Sequence, residues 1–366
     1  MIKDRAQKSL ALRLAVSKKW LPQLEVEIEA AQRLDRSRSL LTDVDVLAIA
    51  QSSIALHERY AFDCKSGAKE SGIGRSFWLR GVMTRIGASY GFVVLPEKIK
   101  ILHDHRISAS DMSISLLHDA ELVEFAKSIG GGTDSAGSKV GELEAWESFL
   151  SVGSKYPALN EYLLFARSAF WLLKDPGERC RRVVSRLRSI RSELDPTKPE
   201  HMSVFGDAVC LFLVAVSELA VRALLILLKP VSKDEFSSTV LAILYGGYEN
   251  LDAALKLRRL TTGASEGEEV SMFPELNRFE QLVREVMLAP LDSLPAALLA
   301  RDFSFCELLS DKKISEFQIK IASDSRFSFK FVLLAAEYLQ RAARLPTEFG
   351  TCYTDRSLSL LSLLPR

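Results

Sequence analysis

Two patterns of hydrophobic and polar positions divide the chain. As far as Pro96 the apolar runs are short, with polar breaks between them. Beyond about residue 141, apolar residues recur at three- and four-residue spacing. The first pattern predicts strands among a few helices, and the second predicts a helical array. In the first part, Lys3–Trp20 is an amphipathic helix with Leu10, Leu12, Leu14 and Val16 among small and basic residues. Leu24–Ala30 alternates strictly between apolar and acidic residues, as a strand with one solvated face does, so its glutamates read as that face before a metal site. Leu41–Ala50 and Arg59–Gly67 are short, rich in β-branched or aromatic residues and separated by a polar break, which predicts a hairpin. A helix over Ser76–Gly87 and a strand over Tyr90–Leu95 follow. Lys98–Ile129 reads as a connector ending in a helix, Asp119–Ser128, with His103 and His105 at strand-like spacing and so on one face.

The segment Ile129–Ser138 is dominated by glycine and serine and is the clearest linker, which sets a domain boundary at 130–140. Beyond it, helices are expected at Leu143–Val152, Leu159–Leu173, Glu178–Leu194, Glu235–Leu260 (with a break at Tyr245–Tyr248), Glu275–Leu288, Lys313–Ala322 and Phe327–Arg344. Prolines 157, 176, 196 and 199 punctuate them, and Thr261–Glu269 is a polar loop. Ala208–Leu228 is apolar enough to span a bilayer. Glu218 and Arg222 interrupt it at i,i+4, where they can pair with each other, so a buried helix within a soluble bundle is expected, with no membrane contact.

Candidate chemistry concentrates in the hairpin. Side chains alternate along a strand, so Asp63 and Lys65 share a face and Cys64 points the other way. If the two strands pair, Asp45 lies beside Asp63 with Lys65 just beyond. Two carboxylates offer hard oxygen ligands to a divalent cation. Such a cation lowers the pKa of a bound water and stabilises charge on a phosphoryl oxygen, and an adjacent lysine orients that water, helps deprotonate it or neutralises the phosphate.

An Asp in an apolar strand, a hairpin, and then Asp63-Cys64-Lys65 closing the next strand resembles the PD-(D/E)xK, or restriction-endonuclease-like, nuclease superfamily. The helix and strand that follow fit that pattern too, and the likeness covers roughly Lys3–Ile129. The resemblance implies an α+β protein: a restriction-endonuclease-like core with a mixed sheet flanked by helices over 1–129, then a large all-α domain over 141–366. It implies an endonuclease using Mg²⁺ or Mn²⁺ and acting on nucleic acid, DNA before RNA, in a setting such as restriction or anti-phage defence. Asp45 and Asp63 would hold the metal with the Cys64 carbonyl, and Lys65 would position the water. One departure stands out. The family's first helix usually supplies a glutamate to the metal, whereas Lys3–Trp20 contains only Asp4 and, as the nearest amide, Gln7. Asp4 could substitute, or the site could have decayed, leaving a catalytically inactive scaffold that binds nucleic acid or protein.

Composition modifies this picture only slightly. Over 366 residues the formal net charge is +1, so no global basic field marks a nucleic-acid binder and any such contact must be local. The local candidates are Lys69 and Arg75 beside the hairpin, and Arg181, Arg182 and Arg188 on a helix that carries six arginines between Arg179 and Arg191. That helix could grip a phosphate backbone, dock an acidic protein or simply be solvated, and the helical domain could equally mediate homo-oligomerisation. Five widely spaced cysteines without zinc-ligand spacing, and an N-terminus without an apolar signal core, suggest reduced thiols in a cytoplasmic protein.

Overall fold

The structure, a computed structural model, describes residues 2–30, 39–67, 70–132, 134, 137–229, 232–262 and 272–364. Within them the chain is α+β and divides into two compact units, 1–172 with 304–321, and 173–303 with 322–366. The glycine-rich stretch expected to separate two domains lies inside the first unit. There Gly131 N–H donates to Ala126 O, Gly132 N–H donates to Ser17 Oγ, and Lys18 Nζ caps the Ile129 carbonyl. A Cβ on Gly131 would stand 2.8 Å from Lys18 Cδ, so glycine there lets the backbone run close to the end of α1.

The first unit opens with α1 (Arg5–Ser17), β1 (Leu21–Glu29), β2 (Leu40–Gln51), β3 (His57–Cys64), α2 (Gly72–Ile86) and β4 (Tyr90–Leu95). It continues with α3 (His103–Asp111), β5 (Ile114–His118), α4 (Asp119–Ser128) and α5 (Leu143–Lys155). An irregular helical segment follows: α6 (Asn160–Leu164), a π-helical stretch Phe165–Ala169, and α7 (Phe170–Leu172). The five strands form one mixed sheet in the order β1-β2-β3-β4-β5. β1, β2 and β3 run antiparallel to their neighbours, and β4 and β5 continue parallel to β3. The hairpin expected from Leu41–Gly67 is therefore present, with Val46 opposite Phe62.

Tertiary fit explains why these segments adopt these forms. On α1, Lys8, Ala11, Leu12 and Ala15 recur at helical spacing and are all buried, and the helix lies against β1, β2 and β3. Ser71 Oγ caps α2 by accepting from Gly74 N–H, and Gly87, at φ 68°, ends it in the left-handed region that glycine enters without strain. A Cβ on Gly91 would stand 2.7 Å from Met83 Sδ, so glycine there lets α2 lie directly on β4.

Two expectations for residues 98–118 are corrected. What was expected as a connector contains a helix and a strand, α3 and β5. Because His103 and His105 belong to α3, they lie two positions apart on a helix and point to different sides instead of sharing a face.

The second unit contains α8 (Pro176–Ser189), α9 (Pro199–Leu227), α10 (Lys233–Tyr245), α11 (Tyr248–Thr262), α12 (Leu276–Leu288) and the start of α13 (Ser293–Leu308). After α14 (Glu316–Asp324), which runs across the boundary, come α15 (Ser328–Ala343) and α16 (Thr347–Leu363). α9 is the one described helix long and apolar enough to cross a membrane, yet 72% of its most apolar window is buried inside the protein, where α8, α10, α12 and α15 pack on it. Glu218 and Arg222 do interrupt it, but each reaches α8's end of the unit: Glu218 pairs with Arg179 at 2.7 Å and Arg222 with Asp175 at 3.5 Å. Of the polar loop expected at Thr261–Glu269, all but Thr261 and Thr262 lies outside the described residues.

Candidate functional site

Register brings the predicted residues together. Extending the β2–β3 pairing by one residue from Val46 and Phe62 sets Asp45 across from Asp63. Both carboxylates are buried, and Lys65 bridges them, its Nζ 3.0 Å from Asp45 Oδ2 and 3.2 Å from Asp63 Oδ1. Cys64 turns its sulfur into the core and contributes its amide, which donates to Asp45 Oδ2 at 2.7 Å. Lys69 lies outside the described residues.

Arg75, expected as a phosphate contact, is engaged within the chain. It forks onto Asp63, with Nε 2.7 Å from Oδ2 and Nη2 2.5 Å from Oδ1, and its guanidinium stacks on Trp78 at 4.0 Å from the ring centre. A bidentate guanidinium–carboxylate pair of this kind is among the strongest polar contacts in proteins. Asp63 therefore has both oxygens engaged by cations, and Trp78, half-buried, serves as the platform for Arg75.

Two residues that the sequence reading passed over, Lys8 and Arg167, and one that it placed on a solvated face, Glu25, join this group. Lys8 of α1 is buried and its ammonium lies 2.8 Å from Asp45 Oδ1 and also contacts Glu25 Oε1. Glu25, placed on a solvated face by alternation, sits at φ 53° in the middle of β1, between the pairs Leu24–Val46 and Val26–Val44. A side chain in left-handed backbone within a strand is strained, and such residues concentrate at functional sites. Arg167, from the π-helical stretch, fixes this part of β1: its Nε donates to the Glu25 carbonyl at 3.0 Å and its Nη2 pairs with Glu27 at 3.1 Å. Lys8 was legible in principle, because it shares a helical face with the apolar Ala11, Leu12 and Ala15. Glu25 was not, since its kink leaves no mark on a pattern of period two.

Carboxylate oxygens of Glu25, Asp43 and Asp45 lie within 4.8 Å of one another. With Asp4, Lys8 and Lys65 they line a cleft of about 680 Å³, walled on another side by Glu147, Leu150, Ser151 and Arg167. Asp4, considered as a stand-in for the missing helix glutamate, lines the cleft but accepts from the Ser66 amide at 2.7 Å, tying the loop after β3 to the start of α1. Of the expected ligands, Asp45 belongs to this acidic group, which among the described residues could hold a metal ion, while Asp63 lies apart from it, paired with Lys65 and Arg75. Hard oxygen donors crowded at one cleft suit a divalent cation of the Mg²⁺ or Mn²⁺ type.

The electrostatics follow from burial and crowding. Burial pushes the Asp45 carboxyl up, but Lys8, Lys65 and the Cys64 amide outweigh it and hold the group below the usual carboxylate range. For Asp63 burial wins over Arg75 and Lys65, and its pKa is raised. Glu25 is raised too, by burial and by the nearby charges of Asp45 and Asp43, against the pull of Lys8. Burial alone would lower Lys65; Asp45 and Asp63 reverse that and raise it, so Lys65 keeps its proton and acts as a fixed positive charge.

The arginines of α8 differ in how they are engaged. Arg179 is buried and donates to the Leu173 carbonyl at 2.8 Å as well as pairing with Glu218. Arg182 is exposed and pairs with Glu178 at 3.1 Å, and Arg181 lies over the Tyr245 ring at 4.7 Å. Arg188 is half-buried. Searches against protein-family models, curated proteins and solved structures return no match for this chain.

Proposed function

We propose that the first unit is a metal-dependent phosphodiesterase of the restriction-endonuclease-like type, acting on nucleic acid and on DNA in the first instance. The observation that carries this reading is the convergence of Asp45, Lys65 and Asp63 where β2 and β3 meet, on the cleft that holds Glu25 and Asp43. The succession α1-β1-β2-β3-α2-β4 on a mixed sheet supports it. A role in restriction or anti-phage defence remains the setting that the resemblance suggests.

In this reading Glu25, Asp43 and Asp45 hold the divalent ion, which when bound supplies a water of lowered pKa and positive charge beside the scissile phosphate. Lys65, held protonated, places its ammonium against the oxygens that gain charge in the transition state. Asp63 does not touch substrate; it aims Lys65 and is itself aimed by Arg75. The Trp78 face restrains Arg75 in turn.

A second reading has its own observation. Lys8, Lys65 and Arg75 already compensate Glu25, Asp45 and Asp63, as in a scaffold that binds nucleic acid or protein without cutting. The test is incubation of the full chain with single- and double-stranded DNA and RNA in Mn²⁺ or Mg²⁺. The nuclease reading expects cleavage that chelation, Asp45→Asn and Lys65→Ala each abolish. Retained binding without cleavage would establish the scaffold.

A further inference from the structure

The acid cluster carries more internal positive charge than a metal site needs. Lys8, Lys65 and Arg75 pair with Glu25, Asp45 and Asp63, so a divalent ion arriving at Glu25, Asp43 and Asp45 meets two carboxylates that already hold cations. The cations are not equivalent. Arg75 touches only Asp63, and Lys65 contacts Asp45 and Asp63 on the β3 side. Lys8 alone of the three pairs with two members of the metal cluster, Glu25 and Asp45. Its side chain is 3% exposed and lies on a helix packed against the sheet.

We propose that Lys8 is a resident cation that competes with the divalent ion for Glu25 and Asp45 and so sets the metal affinity of the site. The inference rests on the metal reading above and assigns a positioning role on the helix that lacks the expected glutamate. The ammonium is a compact point charge with rotatable donors, suited to carboxylate oxygens that also suit a hard metal ion. Because it is tethered, it acts at a high effective concentration, and a free ion must outcompete it. Lys8 lines the cleft, so a phosphodiester there offers the ammonium another anionic partner.

The experiment follows free Mn²⁺ by electron paramagnetic resonance while full-length wild type, Lys8→Met, Lys8→Arg and Asp45→Asn are titrated. The expected result is Mn²⁺ binding at least tenfold tighter in Lys8→Met than in wild type, unchanged or weaker in Lys8→Arg, and absent in Asp45→Asn. Lys8→Met leaves two crowded carboxylates without their cation, so its thermal midpoint is measured with and without Mn²⁺. A larger Mn²⁺-induced rise than in wild type, or folding that appears only with Mn²⁺, supports the proposal. Failure of Mn²⁺ to stabilise or refold Lys8→Met counts against it. Equal affinities in wild type and Lys8→Met overturn the competition and leave the metal site standing, and weaker binding in Lys8→Met makes Lys8 a support for the site instead. No Mn²⁺ bound by any variant brings down the metal reading and this inference with it.

Discussion

Two buried ion pairs of nearly equal length do different things in this protein. In the helical unit, Arg301 Nη2 lies 2.7 Å from Asp207 Oδ1, both side chains fully enclosed between α13 and α9. In the first unit, Lys8 Nζ lies 2.8 Å from Asp45 Oδ1. Arg301 and Asp207 are closed off from solvent, and Cys210 nearby has its thiol pushed up to about 12, chiefly by burial. Around Lys8 and Asp45 the surroundings are ionic: Glu25, Asp43, Asp63, Lys65 and Arg75 all lie close, and a cleft admits solvent. A pair enclosed in a dry core cannot change partners without a large desolvation cost, whereas a crowded set at a cleft can exchange them. The difference separates an enclosed ion pair from one that lines a cleft.

The largest test of that contrast is on the structural side. Arg301→Met leaves Asp207 buried without its guanidinium and is expected to lower stability by about 3–5 kcal/mol, while Arg301→Met combined with Asp207→Leu recovers most of the loss. Urea unfolding of both variants measures it. On the cleft side the effect should appear in rate. Asp45→Asn is expected to cut phosphodiester cleavage about a thousandfold, equivalent to ~4 kcal/mol of transition-state stabilisation, with a much smaller change in urea midpoint than Arg301→Met. Equal stability losses in the two variants would erase the distinction.

Protonation sharpens the comparison further. Glu25 has its folded-state pKa raised, so its contribution to stability is fully present below its ordinary value of 4.5 and is lost as pH rises through the folded value. Wild type should therefore lose stability relative to Glu25→Gln as pH rises above the ordinary value of 4.5, read from urea midpoints over a pH series. Asp45 runs the other way, its stabilising contribution present above 3.8 and lost as pH falls through its lowered value. The smallest effect belongs to the surface. Arg182→Gln removes an exposed i,i+4 pair with Glu178 and should change stability by no more than about 0.5 kcal/mol.

Much of this was legible in the sequence because each signal was local. Alternation marked β1, aromatic and β-branched residues marked β2, β3 and β4, and a shared strand face linked Asp63 with Lys65. The hidden parts are those that tertiary structure determines. α3 buries only Ala109, so it carries no apolar stripe, and β5 is five residues long. α13 shows nearly continuous burial from Ala296 to Cys306, which erases the amphipathic contrast. At the site, the chain spacing between Lys8, Glu25, Asp45 and Arg167 says nothing of their meeting, which depends on a helix laid across a sheet and a kinked residue held by a π-helical turn.

The most direct test of the central claim is calorimetric titration of Mn²⁺ into the full-length protein, with nucleic acid present, for wild type and Asp45→Asn. Saturable binding in wild type that is lost in Asp45→Asn is the expected result. Wild type that takes up no Mn²⁺ under these conditions would contradict the account and leave a sheet whose acidic cluster serves only to bind its own lysines.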